Sequence, residues 1–311
     1  MTTPRVIDLG RDRRLLDLDF RDTEGLVAAY LLPEPNGWAL VETGPTTCRG
    51  PLLRAVGAAG VEPGEIRDVL VTHVHLDHAG GLGALAGDLP SATFHAHEIG
   101  VPHLVEPTRL ASSARRAWGP ASELLWGPIL PAPAARVRAL RGGETFPLRG
   151  GELRVLATPG HARHHLAFLD TGTGSLLAGD GAGVRLEGSA RLRPAVPPPD
   201  LDLEQLFASL EAMARLEPAR ILLTHFGPTP GGAADLRRYR ERVERWREVA
   251  LAAARERPEV AWVAGRLREE EERTEPAETS ERSSLVSGYE LAAAGLLRYF
   301  ETRGLLPRAP T

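Results

Sequence analysis

The feature that most constrains this chain is a six-residue stretch with four metal-ligand side chains, His73-Val74-His75-Leu76-Asp77-His78. It follows an apolar run, Asp68-Val69-Leu70-Val71-Thr72, that is typical of a buried strand. Zinc-type ions accept imidazole nitrogen and carboxylate oxygen in near-tetrahedral sites. Because neighbouring Asp77 and His78 diverge, four such groups cannot easily converge on one ion. The stretch therefore predicts two metal sites, in a loop at the C-terminal end of a strand.

Three further polar residues each follow an apolar segment of the kind that forms strands. The segments run from Leu153 to His161, from Ser175 to Asp180 and from Arg220 to His225. Each one delivers a possible ligand at its C-terminal end, as the first motif does. The sequence thus predicts that His161, Asp180 and His225 complete the metal centre.

The possible ligands occur in the order His-x-His-x-Asp-His, a lone His, a lone Asp and a final His. This order resembles the metallo-β-lactamase superfamily, with a glyoxalase II-like ligand pattern. The resemblance covers roughly residues 5 to 230. The resemblance implies an α+β fold, a four-layer αββα sandwich with the metals at one edge. Local patterns predict short strands before residue 42 and helices at 50–59, 80–85 and 203–216, the last capped by Asp200 or Asp202.

By the same resemblance, the seven polar residues form a dinuclear centre. His73, His75 and His161 would hold one ion, Asp77, His78 and His225 the second, and Asp180 would bridge them. Zinc is the expected metal, although nitrogen and oxygen ligands also accept Mn or Fe. A metal lowers the pKa of bound water from ~15.7 toward ~7, so a bridging hydroxide would attack a small ester, thioester or lactone. The expected catalytic residues are Asp180 and Asp77, the latter orienting water and shuttling a proton.

Two other functions found on this fold stay open at this point. A persulfide dioxygenase would use a single iron held by His73, His161 and Asp180. An RNA-processing or RNA-binding member would need a basic surface, and the cluster from Arg237 to Arg240 is a candidate. However, acidic residues interleave the basic ones and the formal net charge is −4, which favours a solvated helix face and a small-molecule substrate over nucleic acid.

Several residues outside the ligand pattern bear on the site. Glu42-Thr43-Gly44 stands where the resembled family usually has an Asp-x-Gly turn, and its carboxylate is one carbon longer. His165 matches the final His of the Gly-His-x-x-x-His loop of glyoxalase II-like members. His95 and His97 alternate as strand residues do, and we expect them to have supporting or structural roles rather than to bind metal.

A proline-rich interval at residues 99–140 interrupts the strand and helix pattern, and we expect a helical insertion there. Because it precedes the ligand His161, the insertion could overhang the metal cleft. Trp118 and Trp126 would then form a wall of the substrate pocket, or they would pack beneath the insertion as most tryptophans do.

The chain is expected to divide into a catalytic domain at 1–230 and a C-terminal helical extension at 231–311. Arg and Glu at helical spacing predict two helices between residues 233 and 273, then a charged link at 274–284. Aromatic residues concentrate in the last predicted helix, 285–300. We expect this helix to dock on the main domain, on its cleft or on a second subunit, which leaves a homo-oligomer open.

Composition excludes some chemistry. Cys48 is the single cysteine, so no intramolecular disulfide forms, and we expect its thiol to be a bystander rather than a nucleophile. No lysine occurs, which excludes Schiff-base catalysis. The start, Met1 to Arg5, carries no apolar signal region, and no run of eighteen apolar residues follows. The sequence therefore predicts a cytoplasmic protein without a membrane segment.

Overall fold

The computed structural model describes residues 3–187, 189, 191–273 and 281–306. The chain forms two compact units, which we call the N-terminal unit (Met1–Ala157 and Leu166–Gly179) and the C-terminal unit (Thr158–His165 and Asp180–Thr311). Residues 274–280 of the predicted charged link lie outside the described residues. The domain boundary at residue 230 stays a prediction.

The N-terminal unit contains a seven-stranded sheet whose strands follow one another in chain order. They are β1 (Val6–Gly10), β2 (Arg13–Asp17), β3 (Ala28–Glu34), β4 (Gly37–Val41), β5 (Ile66–Leu70), β6 (Thr93–His97) and β7 (Val137–Leu140). The first four strands pair antiparallel, and β4 to β7 pair parallel. The parallel strands end at one edge of the sheet, where the chain leaves β5 and enters the His73 motif.

A second, antiparallel set of strands completes the N-terminal unit. It comprises β8 (Thr145–Leu148), β9 (Gly151–Ala157), β10 (Leu166–Asp170) and β11 (Ser175–Leu177). The helices of the unit are α1 (Arg49–Ala58), α2 (Leu76–Ala79), α3 (Leu82–Leu85), α4 (Val101–Val105), α5 (Thr108–Trp118) and α6 (Ala121–Trp126). β3 and β10 are buried along their whole length, which requires that both of their faces are covered.

The C-terminal unit is mainly helical. It comprises α7 (Leu203–Arg215), the hairpin of β12 (Arg220–Leu223) and β13 (Gly227–Thr229), α8 (Ala233–Glu256), α9 (Val260–Glu272) and α10 (Tyr289–Thr302). Asp202 caps α7 by accepting a hydrogen bond from the Gln205 amide at 3.0 Å, so the second of the two predicted caps is used. The last helix buries its aromatic face within this unit, where the rings of Tyr289 and Trp246 stack at 5.9 Å. In the part of the chain that the structure describes, no helix combines the length and apolar character needed to cross a membrane.

Two local expectations need correction. The predicted 80–85 helix appears as α3, and a separate short helix, α2, precedes it, so Asp77 and His78 lie on a helical turn rather than in the predicted loop. Within the 99–140 interval the helices α4 to α6 span residues 101–126, and the last four residues of the interval form β7, because their backbone pairs in parallel with β6. Trp126 is buried against Phe20, with ring centroids 5.9 Å apart, whereas Trp118 is 41% exposed. Packing therefore accounts for Trp126.

Candidate metal centre

The first group of predicted ligands lies in the N-terminal unit, directly after β5. The imidazoles of His73 and His75 face each other, with Nε2 of the first 2.8 Å from Nδ1 of the second. His78 is fully buried on α2, and its Nε2 lies 3.9 Å from an Asp77 carboxylate oxygen. The unit thus gathers all four side chains of the motif into one place, with ring nitrogens and a carboxylate directed toward one another.

A buried carboxylate organises two of these rings. Oε1 of Glu42 accepts a hydrogen bond from the Thr72 hydroxyl at 2.5 Å and lies 3.0 Å from Nδ1 of His78. The same hydroxyl oxygen lies 3.0 Å from Nδ1 of His73. Because the carboxylate accepts and the hydroxyl proton is already donated to it, both rings must carry their proton on Nδ1. In both rings Nε2 therefore carries the lone pair, as a histidine ligand of a metal ion requires.

In the C-terminal unit, the predicted ligands His161 and His225 lie on either side of the third, Asp180. Oδ2 of this carboxylate lies 3.6 Å from Nε2 of His161, and Oδ1 lies 3.7 Å from Nε2 of His225. Both histidines and Asp180 are buried. Each oxygen thus faces a different ring, which is the arrangement that a bridging carboxylate requires.

The His161 ring is oriented by the backbone. Its Nδ1 donates a hydrogen bond to the carbonyl oxygen of Ala195 at 2.9 Å. A carbonyl can only accept, so the proton is on Nδ1 and the lone pair is on Nε2, the atom that faces Asp180. No local sequence signal marks Ala195, and this partner was not predicted.

His165 supports the loop that carries Asp180. Its Nε2 accepts a hydrogen bond from the amide of Gly181 at 3.1 Å, and its Nδ1 lies 2.8 Å from the hydroxyl oxygen of Thr158. Since Nε2 accepts, Nδ1 carries the proton and donates it to Thr158. Both ring nitrogens are occupied within the protein, so His165 positions the residue next to Asp180 and does not bind metal. The match to the family loop pointed to this residue but not to its role.

The donor set fits divalent metal ions of the zinc type. Two ligand atoms about 2.1 Å from one ion at a tetrahedral angle lie about 3.4 Å apart. The separations of 3.6 and 3.7 Å within the C-terminal unit are close to this value and too long for hydrogen bonds. Neutral imidazoles with bonded Nδ1–H groups are the usual form of histidine ligands.

The remaining candidate residues take structural roles. Nε2 of His95 lies 2.5 Å from Asp68, and its ring packs edge-on against Phe146. Burial lowers the pKa of His97, whose Nδ1 accepts a hydrogen bond from the amide of Ile99. Cys48 is buried, and burial raises the pKa of its thiol to about 12, which keeps the sulfur protonated and a poor nucleophile.

Comparison with known proteins agrees with the ligand pattern. The family model of the metallo-beta-lactamase superfamily matches residues 22–225. A hydroxyacylglutathione hydrolase of Methylococcus capsulatus is 32% identical over 70% of this chain and 71% of its own length. YobT of Bacillus subtilis is 29% identical over 64% of this chain and 82% of its own length. The crystal structure of a metallo-beta-lactamase family protein of Thermus thermophilus, TTHA1429, covers 97% of this chain and 93% of its own, with a TM-score of 0.63 at 24% identity.

The chain therefore belongs to the metallo-β-lactamase superfamily. The α+β fold class that we predict, with two sheets and helices, is confirmed. Membership and the clustered His and Asp side chains support divalent metal binding and a metal-dependent hydrolase in general terms. Which residues bind which ion stays a prediction.

Proposed function

We propose that this protein is a dinuclear metal-dependent hydrolase that acts on a small ester, thioester or lactone. The observation that carries the proposal is the Asp180 carboxylate, whose two oxygens face two different imidazoles at 3.6 and 3.7 Å. The proposed ligands are His73, His75 and His161 for one ion, Asp77, His78 and His225 for the other, and Asp180 for both. Zinc is the proposed metal.

Two divalent ions in such a centre lower the pKa of water and polarise a carbonyl oxygen. The net reaction adds water to the carbonyl carbon and breaks its bond to sulfur or oxygen, which releases an acid and a thiol or alcohol. Asp77, whose side chain is more exposed than those of Asp180 and Glu42, would accept the proton from the attacking water and return it to the leaving group. Buried Cys48 takes no part, so the nucleophile is water.

Thioesters are the first substrates to test, because the relative from Methylococcus capsulatus is a hydroxyacylglutathione hydrolase. A nucleic-acid substrate is disfavoured because the basic cluster on α8 is paired with acidic side chains. Arg238 pairs with Asp235 at 3.0 Å and Arg240 with Glu244 at 3.2 Å. These ion pairs offset the positive charge that an RNA backbone would need.

The test is the metal content of protein purified without added metal, together with a panel of thioesters, lactones, phosphodiesters and RNA. We expect two ions per chain and turnover of thioesters or other small esters. His75→Ala should abolish metal-dependent turnover while circular dichroism still reports a folded chain, because apolar burial stabilises the sheets. One tightly held iron with oxygen consumption would instead identify a persulfide dioxygenase, and RNA cleavage would identify an RNA-processing enzyme.

A further inference from the structure

His161 depends on a stretch of chain that has little regular structure of its own. The Ala195 carbonyl that accepts from its Nδ1 belongs to residues 193–198. Apart from a single bridge between Arg193 and Val184, no strand or helix of the described residues includes this stretch. The position of the carbonyl must therefore be fixed by contacts from elsewhere.

One of these contacts comes from Tyr239 on α8. The amide of Ala195 donates a hydrogen bond to the Tyr239 hydroxyl oxygen at 3.2 Å, and the tyrosine side chain is completely buried. The two backbone groups of Ala195 thus join Tyr239 on one side and His161 on the other. The Tyr239 ring also fills the space beside Gly183, where a Cβ would overlap it, and so packs against the loop that follows Asp180.

The other contacts come from α10 and the turn before it. The Ser287 hydroxyl donates to the carbonyl of Pro194 at 3.0 Å, and the Arg193 guanidinium lies over the Tyr289 ring at 4.0 Å. Gly295 lets the helix approach so closely that a Cβ there would overlap the carbonyl oxygen of Val196. The stretch is therefore held at successive residues by the C-terminal helices.

We propose that Tyr239 is a positioning residue for the metal centre, and that its hydroxyl, together with Ser287 and the close approach at Gly295, sets the metal affinity of His161 by fixing the Ala195 carbonyl. The proposal rests on the proposed function in one respect, namely that His161 binds metal. An imidazole whose Nδ1–H is held by a fixed acceptor presents Nε2 in a single direction. If the Ala195 carbonyl moves, the His161 ring is no longer held in that one orientation. Metal binding must then fix the ring, which lowers the affinity.

The experiment compares two tyrosines of the C-terminal unit, one on α8 and one on α10. Tyr239→Phe removes the hydroxyl that holds Ala195 and keeps the ring. Tyr299→Phe is the matched control, because the hydroxyl of this buried tyrosine donates a hydrogen bond to Glu204 at 2.6 Å rather than accepting one from Ala195. Metal affinity is measured on the full chain by competition with a chelator, with Zn²⁺ as the probe. The absorption spectrum of the Co²⁺ form reports ligand geometry independently of turnover.

We expect Tyr239→Phe to weaken Zn²⁺ binding roughly fivefold, the equivalent of one net hydrogen bond, and to shift the Co²⁺ spectrum. Tyr299→Phe should lower the melting temperature and leave both readouts as in the wild type. Equal Zn²⁺ affinity and Co²⁺ spectra in wild type and Tyr239→Phe would overturn the inference. Wild-type protein that binds no metal would instead reject the proposed function itself.

A second variant decides the matter if Tyr239→Phe does not fold. Ser287→Ala removes the bond to Pro194 and should weaken Zn²⁺ binding by about threefold, somewhat less than one average hydrogen bond, since the Tyr239 contact remains. An unchanged Zn²⁺ affinity and Co²⁺ spectrum in folded Ser287→Ala protein would then contradict the inference.

Discussion

The two units orient their predicted ligands by different means. In the N-terminal unit the ligands are nearly contiguous, and the side chains of Glu42 and Thr72 bond two of the rings. In the C-terminal unit the ligands lie on three separate loops, and backbone groups of Ala195 and Gly181 take part in the orienting bonds. A side-chain partner can be removed by one substitution. A backbone partner can be displaced only through the residues that place it, so remote packing should matter more in the C-terminal unit.

The largest effect is expected from Asp180→Ala, because it removes the carboxylate that faces two rings of the C-terminal unit. Lewis-acid stabilisation of a transition state amounts to several kcal/mol, so we expect kcat/KM to fall roughly a thousandfold or more. Metal content per chain should fall as well. Asp170→Asn is the control, since this buried carboxylate pairs with Arg13 at 2.9 Å and should affect only stability. Retention of two ions and of turnover in Asp180→Ala would contradict the bridging role.

The side-chain support of the N-terminal unit is tested by Glu42→Gln. An amide nitrogen or a weaker acceptor replaces the charged oxygen that bonds Thr72 and His78, so we expect a loss of about 10- to 100-fold in metal affinity or turnover. Glu42→Asp restores the carboxylate on a shorter stem and should lie between the wild type and Glu42→Gln. If all three proteins bind Zn²⁺ equally, the carboxylate does not orient the rings.

The backbone support of the C-terminal unit is tested by His165→Ala. The substitution leaves the buried amide of Gly181 without its acceptor, which costs about 1–3 kcal/mol, and frees the loop that carries Asp180. We expect a lower free energy of unfolding in denaturant titrations and about tenfold weaker metal binding. His97→Ala removes a similar bond to the amide of Ile99, away from the motif, and should alter stability only. A loss of metal affinity in the control as large as in His165→Ala would point to general destabilisation.

The smallest effect concerns a buried carboxylate outside the ligand group, Glu34. Burial first, and then the neighbouring Asp68, raise its pKa from 4.5 to about 8. Between these values the folded protein keeps a proton that the unfolded chain releases, so stability falls as the pH rises from about 5 to about 8. The slope from this group is at most about 1.4 kcal/mol per pH unit. Glu34→Gln should flatten the dependence of the melting temperature on pH without changing Zn²⁺ affinity, in contrast to Glu42→Gln. An unchanged slope would show that Glu34 does not titrate in this window.

Much of the fold could be predicted because its determinants are local. Short apolar runs between Gly, Pro and Asp turns predicted the ends of β1 and β4 to within a residue, and Asp202, one of the two predicted caps, precedes α7. The edges of the 99–140 insertion could not be predicted, because β7 is a short segment whose strand character depends on pairing with β6. The density of ligand types in the His73 motif likewise predicted a metal centre from contiguous residues alone.

What the sequence determined by itself is the identity and order of the seven candidate ligands and the superfamily in which that order occurs. Only the tertiary structure decided which ring nitrogen carries the proton and which group accepts a hydrogen bond from it. The bonds from Glu42 to His78 and from Ala195 to His161 join residues 36 and 34 positions apart. Such bonds depend on angstrom-scale geometry that chain folding creates, and neither partner need be a recognisable residue type, since a carbonyl oxygen is present at every position.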